Sequence, residues 1–183
     1  MTGDVDPPPD AGGDRRFVVQ RHRARRLHYD LRLEIGAVLV SWAVPKGPTL
    51  DADVRRAAFK VDDHSLDHLD FEGTIPSAQR VGDVIVWDTG TWVPDRSVTD
   101  PGEAVAHGEL HLDLFGRKLR GRFVLVRTGT DESGKQTWLL LHKHDEFAVA
   151  GWDPEDHPHS VLSGRTNDDV LAQSPDRGSG HHA

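Results

Sequence analysis

From Leu27 to Ile35 the chain alternates without a slip, with Leu27, Tyr29, Leu31, Leu33 and Ile35 at odd positions and His28, Asp30, Arg32 and Glu34 at even ones. A period of two cannot be laid on one face of a helix, so this stretch is an extended strand with its odd residues against a core. The even face carries chemistry. It sets an imidazole, a carboxylate and a guanidinium two residues apart, a metal-binding pair beside a fixed cation suited to phosphate. His22 lies upstream with the same parity and joins the row if the strand runs through or bends once. The expectation is a metal site of His22, His28 and Asp30 with Arg32 beside it for an anion. The plainer reading is a half-solvated antiparallel strand with polar residues outward.

The same period returns along the chain. Phe17-Val18-Val19-Gln20, Val38 to Val44, Arg56 to Val61, Val84 to Trp87, Thr91 to Val93, Glu109 to Leu114, Phe123 to Val126 and Thr137 to Leu141 all read as strands. Residues 21–26 form a connection, Gly36-Ala37 a tight reversal, Pro45-Lys46-Gly47-Pro48 a stiff loop, Asp88-Thr89-Gly90 a turn, and 94–107 a loop. Seven or eight short strands with turn signals every ~8–12 residues and almost no helical periodicity predict an all-β fold, a small antiparallel barrel with long loops. With 183 residues, one domain is expected. It is divided into a disordered lead (1–16), the barrel (17–150) and a loose tail (151–183) with a helical turn near Asn167 to Leu171.

Composition narrows the chemistry. There is no cysteine, so a metal must sit on His, Asp or Glu, and a cytoplasmic location costs nothing. No apolar run is long enough to span a bilayer and the N-terminus is not that of a signal peptide. The net charge of -8 speaks against nucleic acid, but its distribution speaks for it: Arg15, Arg16, Arg21, Arg23, Arg25, Arg26 and Arg32 crowd around the proposed site with one acid, Asp30. The alternative is a solvated arginine-rich turn. His64 stands where a strand runs out into a loop, a common place for a site. His111 with Asp113, and His142 with His144, repeat the two-residue spacing and are read as decoys. No apolar heptad suggests oligomers, and a monomer is expected.

Five segments, QRHRARRLHYDLRLE (20–34), SWAVPKGP (41–48), DDHSLDHLDFEG (62–73), VIVWDTGTW (84–92) and GRKLRGRFVLVR (116–127), together resemble the 3′-phosphoesterase domain of bacterial DNA ligase D. The resemblance runs from about Phe17 to about Thr166. It implies a β-barrel enzyme with a divalent metal, Mn2+ first and Zn2+ or Co2+ as alternatives, that removes a terminal 3′-ribonucleoside and then a 3′-phosphate during non-homologous end joining. Carried over by motif, the metal ligands fall on His22, His28 and Asp30, and the catalytic groups on Arg32, Lys46, Arg56 and His64. Substrate contacts fall on Gln20, Arg26 and His68. The partners implied are DNA 3′ ends, with separately encoded ligase, polymerase or Ku-type proteins.

A phosphate ester repels an attacking water, so such a site must neutralise non-bridging oxygens and the charge that builds on the leaving oxygen. Arg32 offers a two-pronged fork, Lys46 and Arg56 add charge, and His64 can hold phosphate or protonate the leaving group. The sequence also departs from the family. It lacks the Lys-Arg-Asp-Phe and Thr-x-Glu-Pro segments that precede the barrel there, His68 stands for a tyrosine, and Pro76 to Gly82 replaces a glycine-rich segment. Removal of 3′-phosphate is therefore the expected activity, with ribonucleoside removal secondary. A weakly active accessory module that binds nucleic-acid ends is the alternative, and a barrel acting on a small phosphorylated metabolite the third reading.

Overall fold

The computed structural model describes residues 15–77 and 80–173. Most of the expected lead, the last ten residues with His181 and His182, and Ala78 and Gln79 lie outside the described residues. The strands are β1 (Arg16–Arg23), β2 (Leu27–Ile35), β3 (Val38–Val44), β4 (Arg55–His64), β5 (Gly73–Ile75), β6 (Gly82–Pro94), β7 (Glu109–Gly116), β8 (Arg120–Thr130) and β9 (Gln136–His142). Their order is β1-β2-β3-β4-β9-β8-β7-β6, and β6 pairs back to β1, so eight antiparallel strands close into the predicted barrel. Closure removes the free edges of the sheet. β5 is outside the closed set and rides on the stretch of β6 that β7 does not reach.

Alternation decides what fills the barrel. Phe17 and Val19 from β1, and Tyr29, Leu31 and Leu33 from β2, point inward, where Trp42, Trp87, Trp92 and Trp138 are fully buried. Four indoles let a small number of side chains fill a wide interior, and each such burial is worth roughly 2–3 kcal/mol. The opposite, even-numbered face of β1 and β2 lies outside the interior. It is covered in part by a 3₁₀ turn at Leu66–Asp70 and by β5.

Three expectations are corrected. The turn expected at Asp88-Thr89-Gly90 does not exist, because β6 runs straight through it. Asp88 accepts the backbone N–H groups of Arg117 (2.9 Å), Lys118 (3.2 Å) and Leu119 (2.8 Å), and Gly90 is there for close approach: a Cβ on it would stand 2.1 Å from the Phe115 carbonyl oxygen. The loop expected over 94–107 holds a helix, α1 (Pro101–His107), capped by Asp100, started by Pro101 and ended by Gly108 in the left-handed region. Its cap signals stand in the sequence. Two turns are too short to show a period.

The third correction concerns the tail. Residues 149–173 are a strap packed on the barrel, ending in α2 (Asn167–Ala172) with a capping box made by Thr166 and Asp169. Trp152 packs against the core cluster, Pro154 is buried, and Thr49 Oγ1 donates to the Trp152 carbonyl at 2.7 Å. The Pro, Gly and Asp that read as looseness form turns that let the strap follow the barrel's surface. Polar composition does not exclude order when the barrel supplies the partners.

Candidate active site

The hairpin of β1 and β2 assembles the site. His22 lies opposite His28, and Gln20 opposite Asp30, in the antiparallel register. Directly opposed residues share a face, so His22, His28, Gln20, Asp30 and Arg32 stand together although they come from two strands. The sequence anticipated the parity but not the reversal: His22 is the cross-strand neighbour of His28 instead of a third member of one row, because β1 extends to Arg23 through the arginines expected as a connection.

One ligand atom from each of His22, His28 and Asp30 falls within a cluster in which all such atoms lie within 4.8 Å of one another. Asp30 Oδ2 is 3.2 Å from His28 Nε2 and 3.6 Å from His22 Nδ1. His28 Nδ1 lies 3.2 Å from the Arg26 carbonyl oxygen. A carbonyl only accepts, so that nitrogen carries the proton and Nε2 is the one presented to the cluster, the arrangement that orients imidazole ligands. Burial alone would raise the Asp30 carboxyl, but hydrogen bonds from His22 and His28 and the charge of Arg32 outweigh it and hold the group ionised, well below the usual carboxylate range. Burial would lower the His28 imidazole, yet the Asp30 contact wins and raises it. With the ring protons that face Asp30 lost, two imidazoles and an ionised carboxylate are a donor set that fits a divalent first-row metal.

An anion cradle adjoins the cluster. Arg32 is nearly buried, and burial lowers its guanidinium's basicity while Asp30, 3.4 Å away, raises it. Its Nε donates to Gln20 Oε1 at 2.8 Å, and Gln20 Nε2 donates to the carbonyls of His68 (2.9 Å) and Phe71 (3.1 Å). Gln20, expected as a substrate contact, lines the cavity and uses its amide to hold Arg32 and the 3₁₀ turn in place. Arg32 Nη1 is 3.0 Å from His64 Nδ1, while the same nitrogen is 2.8 Å from the Asp62 carbonyl oxygen. The first contact needs an unprotonated Nδ1 and the second a protonated one, so His64 has two exclusive partners. Burial and the Arg32 charge lower its imidazole below the ordinary value of 6.5.

These groups line a cavity of ≈ 260 Å³, with His68 and an apolar wall of Val61, Phe71, Ile75 and Val84. That wall was missed, since apolar residues on three separate segments carry no local signal. Gly82 was missed too: a Cβ there would stand 3.1 Å from His22 Nε2, so a glycine leaves the ring its space.

Other expected residues stand elsewhere. Arg26 is exposed in the β1–β2 turn and serves the site through its carbonyl. Lys46 is exposed in the turn after β3, and Arg56 opposes Leu140 on the core-facing side of β4; neither lines the cavity. The decoys are structural: His111 pairs with Glu109, Asp113 with Arg122, and His142 is buried against the carbonyls of Lys143 and Arg120. The basic patch is largely consumed. Arg16 pairs with Glu34, Arg21 with Glu155, Arg23 with Asp83 and Asp168, and Arg15 lies over Trp92.

Fold and site define a class: a small closed antiparallel barrel that carries, on the outer face of one hairpin, a His-His-Asp cluster beside an arginine and histidine cradle. The family model of the DNA ligase D 3′-phosphoesterase domain matches residues 20–127, and the chain belongs to that family. It is 48% identical over 165 residues to the multifunctional non-homologous end joining protein LigD of Pseudomonas aeruginosa, covering 87% of this chain and 19% of that protein. The LigD proteins of Mycobacterium tuberculosis (44% over 124 residues, 67% of this chain, 16% of theirs) and Mycolicibacterium smegmatis (38% over 144, 75% and 18%) are similar. The chain therefore spans less than a fifth of the length of these relatives.

Proposed function

We propose that the chain is a metal-dependent phosphoesterase that heals 3′ ends in non-homologous end joining, removing a terminal 3′-phosphate and, secondarily, a 3′-ribonucleoside. The observation that carries it is the convergence of His22, His28 and Asp30 to within 4.8 Å beside Arg32 and His64 in one cavity. His22, His28 and Asp30 would hold the metal, Mn2+ in the first instance with Zn2+ or Co2+ as alternatives. Once bound, the metal supplies Lewis-acid polarisation of a phosphoryl oxygen.

The remaining chemistry belongs to the chain. Arg32, held by Gln20, offers its guanidinium to non-bridging oxygens and stabilises charge where it develops. An arriving phosphate competes for the Arg32 Nη1 that His64 otherwise faces. His64 is then released to keep its Nδ1 proton toward the Asp62 carbonyl, and the dianion favours the protonated ring that a leaving 3′-oxygen requires. The overall reaction adds water across the bond between phosphorus and the 3′-oxygen, giving a 3′-OH and inorganic phosphate. Val61, Phe71, Ile75 and Val84 exclude bulk water from one side. Lys46 and Arg56 take no part in this account, because neither reaches the cavity. The arginine run adds little free charge, which disfavours a purely binding module.

The test is a 3′-end assay on a labelled primer-template bearing a 3′-phosphate or a 3′-terminal ribonucleotide, with Mn2+, with chelator, and with His22→Ala. Conversion of 3′-phosphate to 3′-OH that needs both metal and His22 is expected. Undiminished conversion in chelator, or in His22→Ala, would overturn the metal reading.

A further inference from the structure

The strap meets the hairpin behind the cluster, through Arg21 and Tyr29 and, further along β1, through Arg23, which pairs with Asp168. Arg21 and Tyr29 are cross-strand partners set between the pairs Gln20–Asp30 and His22–His28, so they project from the opposite face of the same two peptide segments. Arg21 continues the inward row of Phe17 and Val19, which leaves a cation only 11% exposed at the end of the barrel interior. The strap supplies its partners. Arg21 Nη2 donates to Glu155 Oε2 at 2.8 Å and Nη1 to Asn167 Oδ1 at 2.8 Å, while the Tyr29 hydroxyl donates to Glu155 Oε1.

Asn167 does more than meet the guanidinium. Its Nδ2 donates to the Arg21 carbonyl at 2.9 Å and to the Asp83 carbonyl at 3.2 Å. The first carbonyl belongs to the peptide that leads into His22. The second leads into Val84, the residue paired with His22 across β1 and β6 and part of the cavity wall. One buried amide, 1% exposed, therefore ties both peptides beside a ligand, and each polar atom of its side chain is satisfied. An apolar residue would pack as well, and only an amide holds two carbonyls and a guanidinium together. The capping box of Thr166 and Asp169 fixes the helix start that delivers it.

We infer that Asn167 and Glu155 are positioning residues for the metal ligands, locking from the strap the segments that carry His22 and His28. The inference rests on the metal reading above. It makes ligand geometry depend on residues 153–167, far from the ligands in sequence and outside the lining of the cavity.

The test measures Mn2+ affinity, by calorimetry or by the electron paramagnetic resonance of free Mn2+, on the full metal-stripped chain. Wild type, His28→Ala, Asn167→Ala, Glu155→Gln and Val170→Ala are compared, each with its thermal midpoint. Val170 is buried one turn further along α2 and its apolar side chain makes none of these bonds, so Val170→Ala should lower the midpoint and leave affinity within twofold of wild type. Asn167→Ala should weaken Mn2+ about tenfold or more, the range seen when groups behind metal ligands are lost. Glu155→Gln should weaken it at least threefold, and carries the test if Asn167→Ala fails to fold. Affinity within twofold of wild type in the folded positioning variants, or an equal loss in Val170→Ala, would overturn the inference. A wild type whose Mn2+ binding is absent, or survives His28→Ala, would overturn the metal reading itself.

Discussion

At Gln20 one side chain ties Arg32 to the 3₁₀ turn that covers the cavity. Its amide is buried, gives two bonds to carbonyls of the 3₁₀ turn and takes one from Arg32. Gln20→Ala strands those partners, so a loss of about 1–3 kcal/mol in urea unfolding is expected together with a fall in kcat. Gln20→Glu keeps the bond to Arg32 and faces the two carbonyls with an oxygen that repels them, so it should rescue neither. Arg32→Ala should cost about 10²–10³-fold in 3′-phosphate hydrolysis, the range for removing one group aimed at developing charge, with general DNA binding little changed. A loss in hydrolysis no larger than the loss in binding would deny Arg32 a catalytic role. His64 gives a third check. Because burial and the Arg32 charge lower its imidazole, its NMR titration in chelator-treated protein should fall below 6.5 and move upward in Arg32→Gln. At this scale the sequence was informative: even parity chose His22, His28, Asp30 and Arg32. Parity cannot tell a substrate contact from a brace, and Gln20, expected at the substrate, both lines the cavity and braces Arg32.

At the scale of elements, the lessons lie in β6 and the strap. Asp88-Thr89-Gly90 has turn composition, but the carboxylate answers three N–H groups of residues 117–119 in the β7–β8 turn and the glycine answers Phe115 in β7, both far along the chain. Local rules could not see either. Gly90→Ala forces a methyl onto a backbone carbonyl, and a destabilisation at the upper end of about 1–3 kcal/mol is expected. The strap was read as loose because its acids and prolines match no period, yet its order comes from partners on the barrel. Glu155 supplies a pH test of that docking. Burial would raise its carboxyl, but hydrogen bonds from Arg21 and Tyr29 outweigh it and hold it below the ordinary 4.5. A depressed folded-state value means stability that is fully present above about 4.5 and is lost as pH falls through the folded value. The gap in urea midpoint between wild type and Glu155→Gln should therefore be steady from pH 8 to 5 and close below 4.5. A gap that persists unchanged to pH 3 would show that the carboxylate charge plays no part in docking the strap.

On the scale of the whole molecule, charge is where counting and geometry part company. The arginines between 15 and 32 look, in sequence, like a surface for a phosphate backbone on a chain of net charge -8. In the fold Arg16, Arg21 and Arg23 are spent on carboxylates, Arg15 lies over an indole, and Arg32 faces Asp30 inside the cavity. Arg25 and Arg26 remain exposed at the β1–β2 turn without an ion pair among the described residues. Their place beside His28 suits the guidance of a single end into the cavity more than the wrapping of a duplex. Each phosphate neutralised contributes about -0.7 to -0.9 to the slope of log affinity against log salt, so three contacts from Arg25, Arg26 and Arg32 give a slope of roughly -2 to -3. Engagement of all seven would bring it near -5 to -6. Fluorescence anisotropy with a 3′-phosphorylated primer-template between low and moderate salt reads that slope directly. A shallow slope that flattens further in an Arg25→Ala, Arg26→Ala double variant would mean that the end is captured by a few placed charges and held by the cavity. A steep slope would mean that binding opens the internal ion pairs, and the braced hairpin described here would then have to come apart to work.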